Sequence, residues 1–264
     1  MDAIIKGLLV AMGVALGSSF QEAPEPIEGA VTTGLSLEPS EVRAGMFFDG
    51  ATFRVSALVP EGMAITISCV GNSESVTLNR KGKAFGIIWM NVGEVEFDNA
   101  PDLYLLHTTE ELNDIAESSL LETLGVGYAA LENQVTVKGA EGEEVRFFRE
   151  FVSLKESDGL YSFSEGAVEE EAVADGSVRV STDLHLSPKT PPGEFQILIH
   201  GFHEGSGTLL GTAPLRVEQV GMAASIRTLA IEHGLSYGIL AVVVAISVGL
   251  LTGVLFGLGT KKAH

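Results

Sequence analysis

Cysteine is nearly absent from this sequence of 264 residues, which contains Cys69 alone. A single thiol cannot form a disulfide within the chain, so no disulfide framework holds the fold together, even in an oxidising compartment. Cys69 lies in the apolar stretch 63–70, and no cation stands beside it in the sequence to activate the thiol. We therefore expect Cys69 to be a small buried side chain rather than a reactive group.

Basic residues are also few: 16 lysines and arginines stand against 35 aspartates and glutamates, and the formal net charge at neutral pH is −19. Among the acidic residues only Asp2 lies outside 18–236, so the negative charge belongs to the middle of the chain. A surface of this sign repels the phosphates of nucleic acids and anionic lipid headgroups. We expect no nucleic acid partner, and the charge is typical of a solubilising surface.

Catalytic and cofactor-binding motifs are missing as well. The sequence contains no His-Glu-x-x-His or Cys-x-x-Cys pattern and no phosphate-binding loop, and its one Gly-x-Ser-x-Gly match, at 234–238, opens the long uncharged run near the C-terminus instead of a turn between a strand and a helix. Its one histidine cluster, His200 with His203, falls in a predicted strand, where residues three apart point to opposite faces and cannot share a metal ion. The sequence therefore predicts no enzyme activity, no cofactor and no metal site.

The N-terminal residues have the pattern of a secretory signal. Lys6 precedes an uncharged stretch at 7–17, in which Ala15 and Gly17 have the small side chains of a cleavage site. We predict a signal peptide at 1–17, with an uncleaved signal anchor as the alternative, and both export the residues that follow. Residues 18–34 include an acidic, proline-containing stretch without periodicity, which predicts a linker.

A long uncharged run near the other end predicts one transmembrane helix at 237–258. At about 1.5 Å per residue the run spans about 33 Å, enough to cross a hydrocarbon core about 30 Å thick. Lys261 and Lys262 follow in the tail at 259–264, and positive charge marks the cytoplasmic end of a membrane helix. The expected protein crosses a bacterial inner membrane once, with its main domain in the periplasm and its C-terminus in the cytoplasm.

Small side chains recur every four residues within this predicted helix, at Ala241, Ala245, Gly249, Gly253 and Gly257. Residues four apart are neighbours on one face of a helix, and small side chains there let a second helix approach closely. Glycine and alanine are common in membrane helices, but a regular row of this length is unusual. The row predicts helix packing, either with a membrane protein partner or with a second copy of the chain.

Short apolar segments separated by turn residues indicate a mainly β fold between the two ends. Strand patterns fill 35–107 and 177–221, and a helical insert with an acidic loop occupies 108–176. The strands predict immunoglobulin-like antiparallel β-sandwich lobes, with 222–236 as a juxtamembrane segment. A single larger sandwich that carries the insert is the alternative.

Two helical patterns define the insert. Thr108 and Glu111 have the spacing of a capping box, and apolar residues then recur at helical spacing up to Leu124. The second helical pattern covers 143–156, and Gly159 is expected to end it. The acidic run at 165–175 is expected to be a solvated loop or an exposed helix face.

Seven short segments follow one another in order between about residues 35 and 258: Phe48-Asp-Gly50, Gly86-Ile-Ile-Trp89-Met-Asn91, Val95-Glu-Phe97, Gly159-Leu-Tyr161, Pro191-Pro-Gly-Glu-Phe195, 214–221 and His233-Gly-Leu-Ser-Tyr237-Gly238. In this order they resemble a family of uncharacterised bacterial transmembrane proteins, described mainly from alphaproteobacteria. None of the segments is catalytic. The resemblance implies a periplasmic domain with one C-terminal membrane helix, and an association with sulfite-exporter-type permeases.

The expected function combines this topology with the lack of catalytic motifs. We predict a non-enzymatic, membrane-anchored accessory subunit outside the cytoplasm, serving a membrane transporter. The alternative is a membrane-tethered, immunoglobulin-like binding module that recognises a ligand or a component of the cell envelope. The two differ in whether partner binding needs the membrane helix.

Overall fold

The computed structural model describes residues 33–84, 88–173, 176–221, 225 and 229–259. The predicted signal peptide at 1–17, most of the predicted linker at 18–34, and Lys261 and Lys262 in the tail lie outside the described residues. Strands make up 48% of the structure, which confirms the prediction of a mainly β fold.

The strands and helices of the described residues are numbered separately along the chain. The strands are β1 (Thr33–Glu38), β2 (Glu41–Ala44), β3 (Ala51–Pro60), β4 (Ala64–Val70), β5 (Ser73–Ala84), β6 (Ile88–Pro101), β7 (Tyr104–Thr108), β8 (Thr136–Lys138), β9 (Tyr161–Ser164), β10 (Glu169–Val173), β11 (Ser177–Leu186), β12 (Gly193–His203) and β13 (Ser206–Gln219). The helices are α1 (Leu112–Ile115), α2 (Ser118–Thr123), α3 (Tyr128–Gln134), α4 (Glu144–Ser157) and α5 (Gly234–Gly259).

Sheet 1 contains four antiparallel strands in the order β1-β3-β11-β10. Side chains alternate between the two faces of a strand, and alternate residues of the central strands are buried. These inward residues are Phe53, Val55, Ala57, Val59, Val180, Thr182, Leu184 and Leu186.

Within the acidic run at 165–175, predicted to be a solvated loop or an exposed helix face, Glu169–Val173 instead form the edge strand β10. β10 pairs with β11 along its whole length and is otherwise exposed. Arg179 on β11 donates a hydrogen bond of 3.2 Å to Glu171 on β10. Charged side chains are common on edge strands, since they discourage pairing with a further strand.

Sheet 2 contains six strands in the order β2-β13-β12-β4-β7-β9. β2 pairs in parallel with β13, β9 pairs in parallel with β7, and the remaining neighbours are antiparallel. β4 lies beside β12, just as β3 lies beside β11 in sheet 1. Strands from before and after the helical insert therefore lie side by side in both sheets.

Sheets 1 and 2 share one hydrophobic core. Phe53 and Leu184 enter it from sheet 1, and Ile67, Cys69 and Phe195 enter it from sheet 2. Cys69 is fully buried there, as predicted, and burial raises the pKa of its thiol. The core therefore lies between two faces made of short strands that are far apart in sequence.

A second core covers the opposite face of sheet 2. Sheet 3, formed by β5, β6 and β8, and the helical insert pack against Tyr104, Leu106, Tyr161 and Phe202 of sheet 2. Tyr104 uses its hydroxyl to accept a hydrogen bond of 2.8 Å from the backbone of Gly127, which ties the insert to the sheet. β4 and β7 of sheet 2 are accordingly buried on both faces.

The second predicted helix forms as α4 and ends where expected. Gly159 has a φ of +68°, its N–H donates to Glu156, and the N–H of Leu160 donates to Lys155, each at 2.9 Å. These bonds are those of a Schellman motif, in which glycine adopts a left-handed conformation at low cost. The predicted stop at Gly159 is confirmed.

The first predicted helix is wrong in its start and its length. Thr108 ends β7 and donates its hydroxyl proton to Glu110, while the N-cap residue of α1 is Glu111, which makes no side-chain cap. Ala116 and Glu117 then adopt extended conformations and separate α1 from α2. The capping-box pattern is therefore not used as a cap.

Candidate interaction surfaces

Helix α5 is the only described helix that is long and apolar enough to cross a membrane. The mean hydropathy of its segment Gly234–Val254 is 2.3, and none of that segment is buried against the rest of the described chain. Helices of soluble domains bury an apolar face, so an apolar helix of this length without cover fits a lipid environment.

The predicted small residues Ala241, Ala245, Gly249, Gly253 and Gly257 all lie within α5. A side chain placed at Gly249 or Gly253 would find no atom of a neighbouring element within 4 Å. The two lysines predicted to orient the helix, Lys261 and Lys262, lie outside the described residues. Within the described part of the chain, nothing packs on the small-residue row.

The row winds around α5 rather than running straight along it. Each step of four residues in a regular α-helix leaves a rotation of about 40°, so the row follows a ridge inclined by about 26° to the axis. Two helices that pack along such ridges cross with a right-handed angle of about 40–50°. A straight partner helix would therefore touch Ala245, Gly249 and Gly253 more closely than the ends of the row.

A groove in the β-rich domain runs between α4 and sheet 3. Its volume is about 470 Å³, and Phe97 and Phe151 stack beneath it with ring centroids 4.4 Å apart. Arg146 at its rim is paired with Glu143 at 2.9 Å and with Glu150 at 3.0 Å. The lining residues are Leu78, Asn79, Arg80, Val95, Phe97, Glu143, Arg146, Phe147, Glu150, Phe151 and Leu154.

A buried lysine beside two carboxylates lies near this groove. Lys155 of α4 places its Nζ 3.5 Å from Glu74 and 5.8 Å from the centre of the Tyr161 ring. Burial and the charge of Glu74 raise the pKa of the Asp102 carboxyl to about 6, and Lys155 partly opposes this rise. Gly71 approaches so closely that a side chain there would overlap Asp102. The group joins α4 to the ends of β5 and β6.

The ionic group of Lys155, Glu74 and Asp102 was not predicted from the sequence. Its one sequence signal is Lys155 itself, which follows Phe151 by four residues and so falls on the apolar face of α4. The two carboxylates come close only because β5 and β6 pair as neighbours, with Glu74 opposite Ala100.

The two clustered histidines have different surroundings. His200 is buried, its Nδ1 has no hydrogen-bond partner, and burial lowers the pKa of its imidazole to about 4. His203 is exposed at the end of β12 and donates from Nδ1 to the carbonyl of Gly62 at 2.9 Å. Among the described residues, no group of three or more His, Cys, Asp or Glu side chains could hold a metal ion.

These observations define a class of protein: a β-rich domain with one candidate membrane-spanning helix at its C-terminal end. Residues 32–257 match the model of the family described as "Putative transmembrane protein (Alph_Pro_TM)", and the chain belongs to that family. The expected resemblance to a family of transmembrane proteins is thereby confirmed. No curated protein and no solved structure matches the chain.

Proposed function

We propose that this protein is a non-enzymatic, membrane-anchored accessory subunit of a membrane transporter. One observation carries the proposal: α5 has a regular row of small residues, and no described element of the chain packs on it. In lipid there is no hydrophobic driving force for two membrane helices to associate. Close backbone packing at small residues is therefore a principal source of their affinity.

In this proposal the β-rich domain is an immunoglobulin-like sandwich in the periplasm of a bacterium, and α5 crosses the inner membrane. The secretory pattern at 1–17 and the lysines after α5 support this orientation, with the C-terminus in the cytoplasm. Two sheets that share one core support the sandwich. The family resemblance supports an alphaproteobacterial source and a sulfite-exporter-type permease as the partner.

The mechanism has two parts. Ala245, Gly249 and Gly253 let a helix of the partner approach α5 closely, and the β-rich domain then stands over the outer face of that partner. The acidic surface of the domain keeps it soluble and gives it affinity for basic surfaces rather than for nucleic acids. A second copy of the chain is the other partner that the small-residue row would accept.

The groove between α4 and sheet 3 supports a second candidate function, a membrane-tethered binding module. A cleft of about 470 Å³ with an apolar floor has the size of a small-molecule or peptide site. The charged groups at its rim are already paired within the chain, however, which leaves few polar groups directed at a ligand. We therefore rank this function second.

Cross-linking in native membranes tests the accessory-subunit proposal. The tagged full-length chain is cross-linked, extracted gently and purified beside the variant Gly249→Leu/Gly253→Leu. We expect a polytopic membrane protein to co-purify with the natural chain and to be lost from the double variant, because leucine side chains prevent close approach of the helices.

Ser247→Leu is the matched control, since it adds the same side chain about 160° around the helix from Gly249. Ser247 donates its hydroxyl proton to Val243 within α5, so its replacement removes no contact with another element. The control should retain the partner. If the partner survives both glycine substitutions, packing through the row is excluded; a soluble partner that the double variant retains would favour the binding module.

A further inference from the structure

The turn between β2 and β3 carries two exposed apolar side chains. Gly45 accepts a hydrogen bond of 3.2 Å from the N–H of Phe48, which closes a turn with Met46 and Phe47 at its tip. Phe48 packs against the core between sheets 1 and 2 and so fixes the base of the turn. Met46 is 51% exposed and Phe47 is 91% exposed.

Single exposed apolar residues are common on protein surfaces and indicate no function by themselves. Any function of Met46 and Phe47 must therefore be inferred from where they lie in the domain. Among the residues of the β-rich domain whose side chains the structure describes, which excludes 81–90, the other large apolar side chains that stand exposed are Val145 and Leu154, both on α4. Phe47 is the most exposed of the four, and it lies beside a second apolar side chain on the same turn.

The turn lies at the end of the domain from which the chain leaves for α5. β2 runs parallel to the end of β13, with Ala44 opposite Gln219, and Val220 donates its N–H to Ala44 at 2.9 Å. Residues 221–233 then lead to α5. Within them, the N–H of Ser225 donates to Gly221 at 3.1 Å and the N–H of His233 donates to Leu229 at 3.2 Å.

At the opposite end of the domain, the described turns that follow β3 and β12 are polar. β13 begins there, roughly 45 Å from its other end at the usual rise per strand residue. The two turns at that end expose Glu61 with Gly62, between β3 and β4, and Glu204 with Gly205, between β12 and β13. The described turns at the two ends of β13 therefore differ, since those beside its start are polar and the one beside its end has the apolar tip.

We propose that Met46 and Phe47 insert into the interfacial region of the bilayer that α5 crosses, and so hold the β-rich domain against the membrane surface. Apolar side chains on an otherwise polar surface bind at the boundary between headgroups and acyl chains. Asp49 follows the tip and is exposed, which favours zwitterionic over anionic headgroups. This inference goes beyond the proposed function, because it needs no protein partner.

Depth-dependent fluorescence quenching tests the insertion. The full-length variant Met46→Cys is labelled with an environment-sensitive fluorophore and reconstituted, one chain per disc, in phosphatidylcholine nanodiscs that contain lipids spin-labelled near the headgroup. Glu61→Cys, labelled in the same way, is the control at the opposite end. Cys69 is fully buried, so its lack of labelling shows that each sample is folded.

We expect the spin-labelled lipid to quench the probe at position 46 several-fold more than the probe at position 61. Adding Phe47→Glu to the first variant should reduce this quenching, because a carboxylate resists transfer into the interface. Equal, weak quenching at both positions would overturn the proposal. A probe at position 46 that is shielded from aqueous iodide but not quenched by the lipid would also overturn it, since a protein surface would then cover the turn.

Discussion

At the scale of single residues, His200 and Thr66 face each other across β4 and β12. They are directly opposite in the strand register, both are buried, and neither His200 Nδ1 nor Thr66 Oγ1 has a hydrogen-bond partner. Unpaired buried polar atoms cost free energy, and an imidazole in such a place resists protonation. His200 therefore makes the folded state sensitive to acid.

The sign of this effect follows from the pKa of His200, which burial lowers from 6.5 to about 4. Between pH 6.5 and 4, His200 binds a proton in the unfolded chain but stays neutral in the folded chain. The free energy of unfolding therefore falls as the pH drops towards 4. We expect a loss of about 3 kcal/mol from this residue over that window. Chemical denaturation of the full chain between pH 7.5 and 4, followed by circular dichroism, measures the loss.

His200→Gln removes the titrating group and should flatten this part of the pH dependence, although it lowers stability at neutral pH by leaving a polar group buried. His185→Gln, at an exposed position of β11, is the control for the exchange of histidine for glutamine itself. Asp102 acts in the opposite direction, because its raised pKa of about 6 makes its contribution to stability fall as the pH rises. An unchanged acid loss in His200→Gln would show that other groups cause it.

At the scale of secondary-structure elements, α4 is held to sheet 3 and sheet 2 chiefly through Phe151. The ring of Phe151 stacks on Phe97 at 4.4 Å and meets Tyr161 edge-on at 6.0 Å, and Lys155 lies 5.5 Å from its centre. Only 1% of Phe151 is exposed. It therefore forms the centre of the second hydrophobic core.

Phe151→Ala should lower the free energy of unfolding by about 3–5 kcal/mol, because it removes the ring and leaves a cavity between α4 and the sheets. Denaturant unfolding of the full chain, compared with the natural sequence, gives this difference. Arg149→Ala, at an exposed position of the same helix, should change it by no more than about 0.5 kcal/mol. Similar losses from both variants would contradict a special role of Phe151 in this core.

Periodicity predicted the elements whose apolar residues recur without interruption. β3 follows the alternation of Phe53, Val55 and Ala57 along the sequence, and α4 and its stop at Gly159 match the prediction closely. β5 and β6 are longer than the apolar pattern of their sequences indicates, because Gly82 and Gly93 interrupt that pattern. The strand register shifts between Arg80 and Lys81, so a bulge opposite them accommodates the irregular stretch within one long strand.

Other features depend on contacts that a sequence does not show. The edge strand β10 forms because β11 supplies its partner, and its three glutamates have no strand signal of their own. The ionic group around Lys155 needs the pairing of β5 with β6. The small-residue row of α5, in contrast, was visible in the sequence, because a helix converts four-residue spacing directly into proximity.

At the scale of the whole molecule, the single cysteine provides a way to test the proposed orientation. Cys69 lies between sheets 1 and 2 with none of its surface exposed, and burial raises the pKa of its thiol. Both effects suppress reaction with maleimides, which attack the thiolate. An engineered cysteine elsewhere therefore reports its own accessibility without a background from the natural thiol.

If the β-rich domain is periplasmic and the tail is cytoplasmic, a membrane-impermeant maleimide should label Glu61→Cys in intact spheroplasts. The same reagent should label His264→Cys only after the membrane has been opened, because the bilayer separates the tail from the reagent. The natural chain should remain unlabelled until it is denatured, which shows that Cys69 contributes no background. Labelling of His264→Cys in intact spheroplasts, with Glu61→Cys protected, would reverse the proposed topology, and a domain in the cytoplasm could not cap a transporter from outside.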